Sequence, residues 1–426
     1  MQGHSGRKLA AFGGWDLVGM EGSWLIGSFI ALLVWLSTLA NASANPLVQC
    51  AEHFIDGDLA HAPTLFSSLP EAPYDSNIHL CYRVDDTSFF AVEYWPERFA
   101  PRWVAYQLSG EPFGPDGCNT YTRAMANCYL QRDEWIEPFD CPSTSDPFHR
   151  DHLITSDSLD TNAFVNSGHD RGHIAARQFF SWHVCGAYQS FTMVNMSPQS
   201  ASLNQGIWAD LESQVLTWAV DHGPIHVVSG TLFRFFPHWR FSVYGEGALD
   251  SDEIYPPGST LESIATRMRE NVDTHPSGHI LRPRRAPNPE RLDDTGRDVA
   301  VPTGYYKVIY RPAIEDEPAQ AIGFLLPHSF ERLRWLADHY EGLERADAFW
   351  AFVSRIDLIE EMSGVRFPGI SDEEKAQWRN PWFFERRGSR TIRSSDCGVG
   401  TPAGVLENTS SEDRLAACRP IGVDGS

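Results

Sequence analysis

A chain of 426 residues, 42% hydrophobic and 21% charged, can build one large core or two to three average domains, which excludes a disordered protein. Its formal net charge of -22 excludes a general electrostatic nucleic-acid binder, whose footprint is a basic face. An enzyme using a few local arginines and a divalent cation stays compatible with that charge. The basic residues are almost all Arg, with lysine only at Lys8, Lys307 and Lys375.

The first element in chain order is an uncharged apolar run, WLIGSFIALLVWLSTL over 24–39, followed by ANASANP. Ala42-Ser43-Ala44 fits a small-x-small cleavage site, and the run falls short of the roughly 20 residues a spanning helix needs. Residues 1–44 are therefore read as a signal peptide, cleaved rather than kept as an anchor. The expected mature chain is secreted or periplasmic, with no stable membrane association. All eight cysteines (50, 81, 118, 128, 141, 185, 397 and 418) follow that point, as expected of disulfides in an oxidising compartment. No Cys-x-x-Cys pair suggests a zinc ribbon or a redox motif.

Residues 45–77 read as an irregular N-terminal extension. From 78 to 109 short β-rich runs alternate apolar and polar residues, which predicts a meander of strands. The stretch 111–150 is loop-rich, and SFTMVNMSPQ (190–199) reads as a strand ending at Pro198. Over 204–223 Ile207, Trp208, Leu211, Val215, Leu216 and Val220 recur at helical spacing, closed by Gly223. PIHVVSGTLF (224–233), YYKVIYRP (305–312) and AIGFLLP (321–327) read as buried strands. Between the first two lies an insertion at 234–300, rich in Pro, Gly and Arg, and best read as a solvated loop that includes Arg282, Arg284 and Arg285. The pattern of 352–367 predicts a helix stopped at Gly364. The main domain is placed at 78–383, before a polar tail, 384–426, that Cys397 and Cys418 are read as tying together.

His169 and His173 stand four apart, the spacing of a zinc-binding helix, yet no Glu adjoins the first and Gly172 precedes the second. The polar residues that apolar periodicity leaves unexplained are Asp170, Arg171, His173, Asn195, Asn204, Gln205 and Glu212. Asn204 and Glu212, eight apart, share a helix face, and an amide oxygen with a carboxylate suits a hydrated Mg²⁺. Arg171 offers a guanidinium fork to a phosphate, and a neutral His173 suits removal of a proton from water. Trp208 and Trp218 read as core anchors, His169 as structural, and Lys307 as structural or weakly electrostatic.

DRGHIAAR (170–177), VNMSPQ (194–199) and LNQGIWADLE (203–212) closely resemble the DNA/RNA non-specific endonuclease family, with secreted bacterial and mitochondrial members and a ββα-metal (His-Me finger) site. The likeness runs in family order over roughly 78–370, leaving out 234–300. It implies an α+β fold, a central mostly antiparallel sheet flanked by helices, and a Mg²⁺-dependent endonuclease, Mn²⁺ being an alternative, that cuts DNA and RNA and leaves 5′-phosphate ends. By the same resemblance His173 is the general base, Arg171 the phosphate contact and Asn204 the direct metal ligand. Glu212 orients waters on the metal, and Asn195 supports them. One departure is Leu216, where some members carry an arginine one turn beyond the glutamate. The rival readings are an effector nuclease held by a protein inhibitor and a non-catalytic nucleic-acid-binding relative. The oligomeric state, a homodimer included, stays open.

Overall fold

The computed structural model describes residues 45–65, 77–110, 146–154, 157–165, 167–233, 299–314, 317–328, 349, 352–376 and 418. The segment read as a signal peptide, nearly all of the insertion and most of the polar tail lie outside these residues, with Arg282, Arg284, Arg285 and Cys397 among them. No helix among the described residues is long and apolar enough to cross a membrane.

After a two-residue strand β1 (Thr64–Leu65), the meander forms as β2 (Ile78–Val84), β3 (Thr87–Trp95) and β4 (Ala100–Leu108). A short hairpin follows, β5 (Asp170–His173) and β6 (Met196–Gln199), with helix α1 (Val184–Gln189) between its strands. Helix α2 (Trp208–His222) then leads into β7 (Ile225–Leu232). The remaining elements are β8 (Gly304–Arg311), β9 (Gln320–Pro327), β10 (Val353–Ser354), α3 (Ile356–Ser363), β11 (Val365–Arg366) and α4 (Asp372–Lys375). Seven strands make one antiparallel sheet in the order β10-β9-β8-β7-β4-β3-β2. The architecture is α+β, a large antiparallel sheet flanked by a few helices. Because β4 pairs directly with β7, the β5–β6 hairpin and α2, which lie between them in sequence, form an excursion from the centre of the sheet.

Alternation along each strand sorts side chains onto two faces. One face carries Val92, Val104, Tyr106, Val227, Tyr305, Ile309 and Phe324 and packs on Trp208, Leu211, Val215 and Trp218 of α2. Each such side chain contributes roughly 1.5–3 kcal/mol by leaving water, so the helical spacing read from the sequence is the one that docks α2. The opposite face carries Cys81, Ala91, Trp103, Val308 and Leu325 and is covered by Ile359 and Met362 of α3 and by Leu47, Cys50 and Phe54. The N-terminal segment, expected as an irregular extension, is a series of 3-10 turns that docks there and is bonded to β2 through Cys50–Cys81.

Three expectations change. The run 190–199 is strand only from Met196, because β5 offers just four partners; residues 193–195 turn as a 3-10 helix instead. In 352–367 the first residues pair with β9 and the helix begins at Ile356; Gly364, at φ 74°, ends it in the left-handed region that glycine adopts without strain. Cys418 is bonded to Cys185, not to Cys397, so the tail is fastened to α1 across 233 residues.

Candidate active site

The hairpin sets the geometry. Asp170 pairs with Gln199, Arg171 with Pro198, Gly172 with Ser197 and His173 with Met196. Gly172 lets the Gln199 side chain pack closely: a Cβ there would lie 2.3 Å from it, so any larger residue would displace Gln199. Alternation places Arg171 and His173 on one side of β5 and Asp170 on the other. The His173 ring meets Phe191 edge-on at 5.0 Å and Phe148 at 5.8 Å, while its carbonyl accepts the Trp208 indole N–H at 3.1 Å.

Asn195 is fully buried, and its amide is engaged with backbone alone. Oδ1 accepts Ala175 N–H, and Nδ2 donates to the Ala175 and Ser190 carbonyls, each at 2.9 Å. Asn195 thereby clamps the turn that leaves His173. The clamp fixes the backbone just beyond His173.

Asn204 lies in a π-helical turn, Leu203–Ile207, at the head of α2, with Gly206 at non-helical angles. Such widened turns recur at functional positions because they re-aim a side chain without ending the helix. Its Nδ2 donates to Asp170 Oδ2 at 3.0 Å, and Gln205 Nε2 donates to the same oxygen at 2.8 Å. With Nδ2 committed, Oδ1 is the atom left to act as a ligand.

Glu212 sits one turn beyond Trp208 on α2. Burial is the main influence on this carboxyl and pushes its pKa to about 7, against the opposing pull of Lys307, Trp208 and Arg177. Its Oε1 is buried with no hydrogen-bond partner among the described residues. Lys307 is fully buried in β8; it donates to Tyr106 Oη at 3.1 Å and Ser229 Oγ at 2.7 Å and lies 4.5 Å from the Trp208 ring centroid. Burial lowers its pKa to about 8, with Glu212 pulling the other way. The field of the Lys307 ammonium is the largest influence favouring the ionised form of Glu212. The signal was visible: a lone lysine amid the apolar residues of YYKVIY.

Arg171 completes the set, with Nη1 and Nη2 donating to Asp146 at 2.9 and 3.2 Å and the guanidinium stacked on Phe148. His169 faces His328 at 5.5 Å; His328 accepts Ser200 N–H on Nε2 at 2.7 Å and so donates from Nδ1 to the Pro302 carbonyl. Leu216 is buried in the core, so its position offers no phosphate contact.

The residues fit a hard divalent cation. Among those described there is no cluster of three or more His, Cys, Asp or Glu. What is present is an oriented amide oxygen on Asn204 and an unbonded, buried carboxylate oxygen on Glu212, a donor set for Mg²⁺, Mn²⁺ or Ca²⁺ with water rather than for zinc.

Known proteins resemble this chain in the same region. Bovine mitochondrial endonuclease G is 33% identical over 87 residues, 20% of this chain and 29% of that protein. The human protein is 32% identical over 140 residues, 33% of this chain and 39% of that protein, so the matches span well under half of either relative. A chain in a crystal structure of an EndoG/EndoGI complex aligns at a TM-score of 0.41 and 18% identity, over 69% of this chain and 91% of that one. The hairpin, the π turn and α2 all lie inside residues 76–369, where the chain matches the model of the DNA/RNA non-specific endonucleases over well more than half its length; it belongs to that family.

Proposed function

We propose that this chain is an exported endonuclease that hydrolyses phosphodiester bonds of DNA and RNA with Mg²⁺ or Mn²⁺ and leaves 5′-phosphate ends. The observation that supports this most is that one hairpin carries His173 and Arg171, while the π turn and helix bonded to that hairpin carry the anchored Asn204 amide and the buried Glu212 Oε1. Export is supported by the apolar run at 24–39 and the small-x-small site after it.

When bound, the cation would neutralise charge on the phosphate and help the 3′ oxygen depart. Asn204 would hold it through Oδ1. His173 removes a proton from the attacking water as the new P–O bond forms and the bond to the 3′ oxygen breaks. Arg171 pairs with a non-bridging phosphate oxygen. Glu212 accepts hydrogen bonds from ordered water through Oε1, most strongly as the ionised carboxylate that Lys307 favours. These groups address phosphate rather than base edges, which supports a broad substrate range.

The test uses supercoiled plasmid and RNA with the mature protein, Mg²⁺ or EDTA, beside His173→Ala. Cleavage of both substrates that EDTA abolishes, with fragments ligatable without a kinase, is the expected result. No cleavage with Mg²⁺, Mn²⁺ or Ca²⁺ overturns the proposal.

A further inference from the structure

The geometry points to Asp146 and Phe148, two side chains of one short segment ahead of the hairpin, as positioning residues that aim the phosphate-contacting edge of Arg171. The inference rests on the role given to Arg171 in the proposed function.

Asp146 takes the guanidinium end-on, Oδ2 accepting from Nη1 at 2.9 Å and Oδ1 from Nη2 at 3.2 Å. Phe148 covers one face, with Arg171 Cζ 3.7 Å from its ring centroid. A guanidinium carries five N–H donors in one plane, and an end-on carboxylate uses two of them. What remains is the side-on fork, Nε–H with its neighbouring Nη–H, which matches the spacing of two phosphate oxygens. The plane of the fork is set by the Phe148 ring and its rotation in that plane by Asp146, so together they fix where an oxyanion docks.

The ion pair is poorly suited to a stabilising role. The Asp146 side chain is 54% exposed, and a pair open to water contributes little to folding. Its segment is nonetheless anchored: His149 N–H donates to the Phe191 carbonyl at 3.4 Å, and Met193 N–H donates to the His149 carbonyl at 3.0 Å. Those bonds join it to the turn that carries Asn195. Phe148 also touches the His173 ring at 5.8 Å and Phe191 at 5.1 Å, so a single ring spaces the base from the cation. A carboxylate that merely competed with substrate would have no need of this shared ring.

The test measures plasmid cleavage kinetics in Mg²⁺ for the full chain, Asp146→Ala, Asp146→Asn, Phe148→Leu, Arg171→Ala and the Asp146→Ala/Arg171→Ala double variant. Misaiming one phosphate contact should lower kcat/KM about tenfold in Asp146→Ala and in Phe148→Leu. Arg171→Ala should lose more, and the double variant should match Arg171→Ala alone, because the aim of an absent arginine has no effect. Asp146→Asn, which keeps one acceptor oxygen, should fall between Asp146→Ala and the parent and serves if the alanine variant folds poorly. Additive losses in the double variant, an Asp146→Ala as active as the parent, or a lower KM in Asp146→Ala would each overturn the inference, the last in favour of a competing carboxylate. Failure of the nuclease reading looks different: the parent itself cleaves nothing, and both proposals fall.

Discussion

Each face of the seven-stranded sheet holds a polar cluster around a buried group, and the two clusters differ in what they leave unbonded. On the face covered by the N-terminal turns, His53 accepts Gln107 N–H on Nδ1 at 3.2 Å and reaches Ser88 Oγ with Nε2 at 2.8 Å, while Ser88 donates to Glu52. His226 donates from Nδ1 to the His53 carbonyl at 3.1 Å. Serine, histidine and glutamate in a row have the composition of a nucleophile, its base and an orienting acid. The backbone N–H on His53 Nδ1 leaves the ring proton on Nε2, so His53 donates to Ser88 and has no lone pair with which to activate it. On the other face Glu212 Oε1 and the Gln199 amide are buried without partners among the described residues. His53 and Glu212 Oε1 are both buried, and of the two only Glu212 keeps an unused acceptor.

The largest effect that can break this comparison is kinetic. His173→Ala should lower kcat about 10²- to 10⁴-fold, the range for loss of a general base, while His53→Gln leaves kcat of the folded enzyme within about twofold. Plasmid cleavage by both variants decides it; equal losses would dissolve the distinction.

The next effect is on stability. Burial, helped by His226, holds the His53 pKa at about 3 against an ordinary 6.5. A depressed pKa contributes stability that is present above pH 6.5 and is lost as pH falls towards 3. The full loss is on the order of 4 kcal/mol. Denaturant melts between pH 7 and 3 should show the fall in the parent and a flatter curve in His53→Gln, with no change in the acid limb of its activity.

Lys307→Met should do the reverse. Removing the buried ammonium leaves Glu212 with burial, Trp208 and Arg177 as its surroundings, so the carboxyl gains a higher pKa still. The acid limb of kcat/KM should move up by about one pH unit, with activity recovered in alkali. Tyr106 and Ser229 keep their mutual bond at 3.2 Å, so the variant should fold. An unmoved limb would separate Lys307 from Glu212. The smallest effect is expected at His169, whose ring faces His328: His169→Gln should change cleavage by no more than about twofold.

Legibility followed the range of the interactions. The spacing of Trp208, Leu211, Val215 and Trp218 foretold α2 because it repeats within a few turns, and the alternation over 78–108 foretold β2 to β4. Met193 and Val194 misled because they are as apolar as strand residues, yet their backbone has no partner strand. Asn195 was legible as a site residue by resemblance, whereas its task was not: that depends on Ala175 and Ser190 coming within hydrogen-bond reach.

What the sequence determined by itself was the order of elements, the family likeness and the residue types of the site, since all of these live in local periodicity and short motifs. Only the tertiary structure decided which acceptors stay unbonded, that Lys307 lies over the Trp208 ring, that Cys418 pairs with Cys185, and that Asp146 meets Arg171. The physical reason is that a charge or a hydrogen bond acts across a few ångströms of space, and the residues within that distance come from segments that chain order keeps far apart.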